Sequence, residues 1–432
     1  EPKSHYLYYE AGKLFSRVCG RNALILQQTF ELIVRAQSLS ESTAEYAVEL
    51  GNQLVMQKKI RDAMKAYRTA MKLDETSVPA LTGIINCQLL ENQVDDAEQQ
   101  LEFLGEIQQS IGKSAELSYL GAVLARKKER RFEEVIVLLN ESTDSHFKEL
   151  QGIPLGFEYF LQLNPEFLLQ VIEEYLIFAP NEPQSSGQPV PPMLKRCTAV
   201  LDPLTKATPG VLQGLYLMAK VRYLSGDIET AKTMLDHCLE KHDRFSEGHL
   251  LMAQIHLKEG NYRMADQSLE VGLSYNFQVR DSPQYHLIKA SVHKNLGNHE
   301  ECIKTLNTAM ALPGVKKAIP AGQGGKKGSS LTLSDRVSVY LELATAHSQL
   351  DHAHEAAKIL QDAMNEFSGT SEEVRISIAN ADLFLKRGDH KEALTILRFV
   401  TPEQSYFIQA REKMADIYLN HRKDKRLYAS CY

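Results

Sequence analysis

The chain has 432 residues, too many for one ordinary compact core, which leaves several domains or a repeat array. With 43% hydrophobic and 24% charged residues it is not a disordered polymer, and a net charge of −6 makes no electrostatic case for binding nucleic acid. No apolar run approaches the ~18–20 residues that cross a bilayer, so direct membrane insertion is not expected. The six cysteines, Cys19, Cys87, Cys197, Cys238, Cys302 and Cys431, are scattered without a C-x-x-C pair, the pattern of reduced thiols in a cytoplasmic protein.

In chain order, helical patterning predicts helix pairs near 5–38, 44–76, 78–111 and 116–142. Residues 143–210 interrupt it. They hold one clear helix at 164–178, with Asn164 as cap and Pro165 in its first turn, followed by the exposed-loop composition "APNEPQSSGQPVPP". Pairs resume at 211–242, 245–277 and 282–312. The stretch 313–332, "PGVKKAIPAGQGGKKGSSLT", then has the composition of a flexible linker. Pairs at 334–367 and 371–400 follow, and a last one begins near 403. The expected organisation is therefore 1–142 helix pairs, 143–210 irregular helical insertion, 211–312 pairs, 313–332 flexible loop and 333–432 pairs. A start at Glu1 and a last pair cut short at Tyr432 lead us to expect an internal fragment of a longer protein.

The pairs share a register. Ala63 and Ala97 lie 34 residues apart, as do Ala231 and Ala265, and the series goes on at Cys302, Ala356, Ala393 and Leu427 with spacings of 37, 54, 37 and 34, the 54 being stretched by the 313–332 loop. A second small residue stands twelve positions earlier in most pairs: Ala11 before Ala23, Gly51 before Ala63, then Ala219, Ala253, Ala290, Ala344, Ala381 and Ala415. Small side chains let two helices approach closely, and larger ones would overpack. Between them the chain writes "LSGDIETA", "LKEGNYRMA", "LGNHEECI" and "LKRGDHKEA". Gly226, Gly260, Gly297 and Gly388 are expected to end each first helix, and Asp227, Asn261, Asn298 and Asp389 to cap each second one. Leu235, Leu269, Leu306, Leu360 and Leu397 then fill the core. A helical period of 34 is that of the tetratricopeptide repeat, so the expected fold is all-α, a TPR superhelix or α-solenoid of helix–turn–helix units.

No catalytic, cofactor or metal site is expected. "GQGGKKGSS" at 322–330 fails the P-loop pattern because Lys327 follows Lys326 where Ser or Thr is required, and no strand precedes it. His249 and His256 lie about 10.5 Å apart along one helix, too far to share a zinc ion. His256, His293 and His347 share one repeat position and suit packing. The basic run "HRKDKR" at 421–426 falls on a turn. What the array does offer is a surface. The residue fifteen before each small position is Val48, Tyr216, Leu250, Leu287, Leu341 or Ile378, and these are the candidate partner-binding groove. That groove would be largely apolar, with scattered polar groups such as Asn52, Asn86, Lys220 and Gln254. It lacks the cationic clamp by which TPR co-chaperones hold a terminal carboxylate.

The segment "EYFLQLNPEFLLQVIEEYLIFAPNEP" and the ending "ADIYLNHRKDKRLYASCY" resemble the tetratricopeptide repeat protein 21 family, its B branch more than its A branch. That resemblance covers the whole chain. It implies a non-enzymatic scaffold in intraflagellar transport complex A, supporting retrograde ciliary transport, entry of receptor cargo, cilium assembly and Hedgehog signalling. It also implies WD-repeat/TPR subunits of the same complex as partners, and localisation to the cytoplasm and to the cilium at axoneme, base and tip. The alternative is a TPR arm of an enzyme or co-chaperone whose other domains lie elsewhere.

Overall fold

The computed structural model describes residues 4–180, 182–185, 187–317, 331–402, 404 and 406–431. Every regular element among them is helical. Internal contacts divide the chain into two compact units, Glu1–Lys241 and His242–Tyr432. The division falls inside the predicted 211–312 run.

Unit 1 begins with four antiparallel pairs: α1 (His5–Val18) with α2 (Ala23–Leu39), α3 (Ala44–Met56) with α4 (Ile60–Leu73), α5 (Val78–Leu90) with α6 (Val94–Ile111), and α7 (Ala115–Lys127) with α8 (Phe132–Leu150). Next come α9 (Phe157–Leu163), α10 (Pro165–Ile177) and α11 (Pro192–Ala207), and then the regular pair α12 (Leu212–Leu224) with α13 (Ile228–Lys241). Unit 2 has α14 (Ser246–Lys258) with α15 (Tyr262–Tyr275), and a 3-10 turn at Phe277–Asp281 leading to α16 (Pro283–Asn295) with α17 (His299–Met310). It continues with α18 (Leu333–Gln349) and α19 (Ala353–Phe367), then α20 (Glu373–Lys386) and α21 (His390–Arg398). It ends in α22 (Phe407–Asp416), a π-helical turn at Ile417–His421 and α23 (Lys425–Ala429).

The turns repeat one device. Gly226, Gly260, Gly297 and Gly388 take φ of 85°, 77°, 80° and 82°, and Lys58, Asn92, Glu129 and Asp351 occupy the same left-handed region at equivalent turns. Each turn is closed by a backbone bond spanning five residues, such as Gln93 N to Gln88 O at 2.8 Å and Asn261 N to His256 O at 2.8 Å. This is the C-terminal motif that satisfies the orphan carbonyls of a helix end. Asp227 and Asp389 do cap, accepting from Thr230 N and Glu392 N. Asn261 and Asn298 make no side-chain cap bond, and the Asn261 amide donates to Glu259 instead.

Small-residue packing holds in the middle of the array: Ala219, Ala231, Ala253, Ala265, Ala356, Ala381 and Ala393 are buried, as are the five leucines that follow the second small position. It fails at both ends. Ala11 is half-buried and Ala23 exposed; the close approach of α1 to α2 is made by Gly12, where a Cβ would stand 2.7 Å from Ile33 Cδ1. At the other end Leu427 is exposed, and Tyr428 and Cys431 pack on the core beside α22 instead.

Three expectations for the interrupting stretches need correction. α8 runs to Leu150, well into the segment read as an insertion, and Asn164 precedes α10 at φ 38° without a side-chain cap bond. The proline-rich loop is tied down at one point by Gln184 N donating to Leu224 O at 3.0 Å. In the 313–332 stretch, Val315 is fully buried in the core built by α17, α18 and α19, and Arg336 donates to the Val315 and Lys316 carbonyls. At its far edge Thr332 caps α18. The remainder of that loop, 318–330, lies outside the described residues.

Candidate partner-binding surface

The six groove residues do not form one exposed stripe. Val48, Leu250 and Ile378 are buried at 8%, 7% and 5% exposure, and Leu250 and Ile378 belong to core clusters. Leu287 and Leu341 are half-buried against the core of α17–α19, and Tyr216 is half-buried. Helix-to-helix packing buries this position in three pairs and leaves it half-exposed in three. Val48 also lines a cavity of 360 Å³ inside unit 1.

That cavity is built from α1, α3, α5 and α7 with α10 as a further wall. α10 reaches it because α9 and α10 pack against α1. Arg21, just past α1, donates through Nε to Glu166 Oε1 at 2.7 Å and through Nη2 to the same oxygen. Across α7 and α10, Arg126 pairs bidentately with Glu174 at 2.7 and 3.0 Å, and the Tyr119 and Phe167 rings meet edge to face at 5.6 Å. His146 on α8 donates through Nε2 to the Leu163 carbonyl at the end of α9, at 3.0 Å; a carbonyl partner requires the Nε2–H tautomer.

The cavity wall contains a buried ion pair. Arg17 Nη1 and Nη2 donate to Glu49 Oε1 and Oε2 at 3.1 and 2.6 Å, and Ser16, Asn52 and Gln53 complete the carboxylate's partners. Burial works against the Arg17 charge, and the Glu49 carboxylate overcomes it, leaving the pKa above its usual value. Next to this pair, Tyr67 projects from α4 against two glycines: a Cβ on Gly51 would stand 2.6 Å from its ring, and one on Gly83 2.4 Å. Its hydroxyl donates to Asn52 Oδ1 at 2.7 Å, and burial pushes its pKa well up. Asn86, 34 residues after Asn52 at the same repeat position, also lines the cavity.

Sequence reasoning placed Asn52 and Asn86 on the inner surface. It missed Arg17, Glu49, Gly83 and Glu166. For Gly83 no signal exists at the 34-residue period, which points to Ile85, and Arg21 and Glu166 are 145 residues apart with nothing periodic between them. Among the described residues no group of three or more metal-ligating side chains converges.

Comparison with known proteins decides the relationship. The model for the second ARM domain of tetratricopeptide repeat protein 21 matches residues 1–260, and the ARM repeat of the same protein matches 277–432. The chain belongs to the tetratricopeptide repeat protein 21 family. It is 54% identical to human tetratricopeptide repeat protein 21B and 52% to the mouse protein, over 100% of this chain and 33% of each relative. To mouse tetratricopeptide repeat protein 21A it is 44% identical, again over 100% of this chain and 33% of the relative. The chain thus spans about a third of the length of these relatives. Among solved structures, yeast Tom70 aligns over 99% of this chain and 95% of its own at TM-score 0.40 and 11% identity. The Cut9–Hcn1 hetero-tetramer of the APC/C aligns over 95% and 90%, at 0.40 and 12%. As a tetratricopeptide repeat protein 21 relative with a helical repeat fold, the chain is a repeat scaffold suited to protein binding.

Proposed function

We propose that the chain is part of a non-enzymatic subunit of intraflagellar transport complex A, acting in retrograde ciliary transport, entry of receptor cargo into the cilium and cilium assembly, with influence on Hedgehog signalling. The observation that carries this reading is the match to tetratricopeptide repeat protein 21B along the whole chain. Its partners are the other complex A subunits, built of WD repeats and TPRs. It acts in the cytoplasm and the cilium, at the base, axoneme and tip, without nucleic acid and without inserting into the membrane. A solenoid of paired helices suits this work because each pair contributes a stiff length of surface and few moving parts.

Purification of the full-length protein from ciliated cells tests the reading. Recovery of complex A subunits in stoichiometric amounts is the expected result. Recovery with a chaperone, or with a catalytic domain in the same polypeptide, would replace it with a TPR arm of a co-chaperone or enzyme.

A further inference from the structure

The turn between α18 and α19 in unit 2 brings two imidazoles together. We propose that His347 and His352 form a zinc-binding site, each ring contributing its Nδ1 nitrogen. This site goes beyond the scaffold reading and does not depend on it.

The repeat's own turn creates it. His256, His293 and His347 each stand near the end of the first helix of a pair. In each case the backbone N–H five residues on donates to the histidine's carbonyl: Asn261 N to His256 O at 2.8 Å, Asn298 N to His293 O at 2.9 Å, and His352 N to His347 O at 3.0 Å. That bond belongs to the helix-ending motif and brings the two positions close together. At the first of these turns His256 Nδ1 meets a carboxylate, 3.3 Å from Glu259 Oε2. At the second, His293 Nδ1 is buried without a hydrogen-bond partner. At the third the residue five on is itself a histidine, and His347 Nδ1 lies 3.4 Å from His352 Nδ1.

The distance selects the ion. Two nitrogens, each ~2.0–2.1 Å from a tetrahedral zinc, stand about 3.3–3.4 Å apart, the spacing found here. Neighbouring ligands of a square-planar ion such as Cu(II) would stand closer, about 2.8–3.0 Å apart. Calcium and magnesium select oxygen ligands, so two imidazoles do not suit them. In the metal-free chain one ring donates to the other across the same gap. Zinc takes both Nδ1 lone pairs, so the donating ring moves its proton to Nε2, with no net proton released. His352 is exposed and His347 half-buried, which leaves the pair open to solvent. The surrounding charges balance. From α20, Lys386 pairs with Asp351 at 3.4 Å and Arg387 donates to the Ala353 carbonyl at 2.7 Å. Glu355, in the first turn of α19, is near enough for its charge to act on His347. Two imidazoles leave the other positions of a tetrahedral ion to water and to this carboxylate.

The test is calorimetric titration of zinc chloride into the full 432-residue chain, with its thiols kept reduced by a reagent that does not bind metal. The expected result is zinc uptake at a site whose affinity falls by about tenfold or more in His352→Asn. That substitution installs the residue already present at Asn261 and Asn298, so the turn itself is preserved. His347→Gln should give a loss of the same size, so the result does not hang on one variant. His237→Gln, which removes an exposed histidine beside Glu240, should leave zinc affinity unchanged. Three results would overturn the proposal: no zinc uptake, an equal loss in His237→Gln, or affinity unchanged by both turn variants. The last two would mean an adventitious ion only, held by scattered surface groups. None of these outcomes depends on co-purification with complex A, so the site and the transport reading fail separately.

Discussion

The pair α14–α15 and the segment α9–α11 both contribute buried residues to a core, yet different forces place them. In α14–α15, Ala253 meets Ala265, Leu269 fills the space beneath, and Gly260 turns the chain between them. All of these contacts join residues close in sequence. The α9–α11 segment is held by Arg21–Glu166, Arg126–Glu174 and the Arg196 contacts to Thr143 and Asp144, which span up to 145 residues. Local contacts carry little loop-closure cost and form together. Contacts between distant residues must overcome that cost, and here they are charged and directional, and one of them, at Glu166, also walls the cavity. A regular pair should therefore tolerate changes elsewhere, whereas the cavity wall should respond as a network.

The largest effect is expected at the buried ion pair. Glu49→Ala leaves Arg17 uncompensated at 9% exposure, which costs about 3–5 kcal/mol in urea denaturation. Adding Arg17→Met should recover much of that loss, since an apolar pair needs no partner.

Next is the Tyr67 wedge. Gly83→Ala sets a methyl 2.4 Å from the ring and should destabilise by ~1–3 kcal/mol or more, with partial rescue by Tyr67→Leu. Gly105→Ala in α6 meets nothing within 4 Å and should stabilise by ~0.5–1 kcal/mol. Opposite signs for the same substitution separate packing from propensity.

Two turn glycines compare the two kinds of region directly. Gly260→Ala pays only for a left-handed alanine, ~1–2 kcal/mol. Gly226→Ala carries the same cost at φ 85° and also drives a methyl to 2.7 Å from the Gln184 carbonyl of the proline-rich loop. The second variant should melt earlier than the first, and it alone should expose residues near 184 to protease. Equal melting would mean that the loop does not rest on α12–α13.

A smaller effect is expected from pH. Burial holds His146 below its usual pKa of 6.5, against the opposing pull of its bond to the Leu163 carbonyl. Between that lowered value and 6.5 the unfolded chain binds a proton that the folded chain refuses, so stability falls as pH drops below ~6.5. Thermal melting at pH 7.5 and 5.5 should show that loss, and His146→Phe should reduce it. His286 and His347, lowered by burial in unit 2, should contribute to the remainder.

These regions also differ in how far they could be read from the sequence. Gly260 and Ala253 announce themselves because helix–turn–helix geometry recurs and each repeat needs the same small or left-handed residue. The groove position is mixed for a related reason: Val48, Leu250 and Ile378 are buried while Tyr216, Leu287 and Leu341 are half-exposed, and periodicity alone cannot separate a buried face from a binding face. Val315 sat in a stretch whose composition is that of a linker, and one apolar residue carries no period. Of the cavity, Asn52 and Asn86 were visible as polar interruptions of an apolar pattern. Arg21, Glu166 and Gly83 were not, since their partners are fixed by tertiary contact.

The central claim is that α9–α10 docks on the first helix pair and closes the cavity of unit 1. A double-mutant cycle on Arg21→Gln and Glu166→Gln, read by urea denaturation, tests it most directly. The two residues are 145 positions apart, so they can couple only if the segment docks as described. Arg21 is partly exposed, which lowers the expected coupling energy to ~0.5–2 kcal/mol, within the range for residues in one hydrogen-bonded network. A coupling of that size supports the account, and strict additivity of the two substitutions would contradict it.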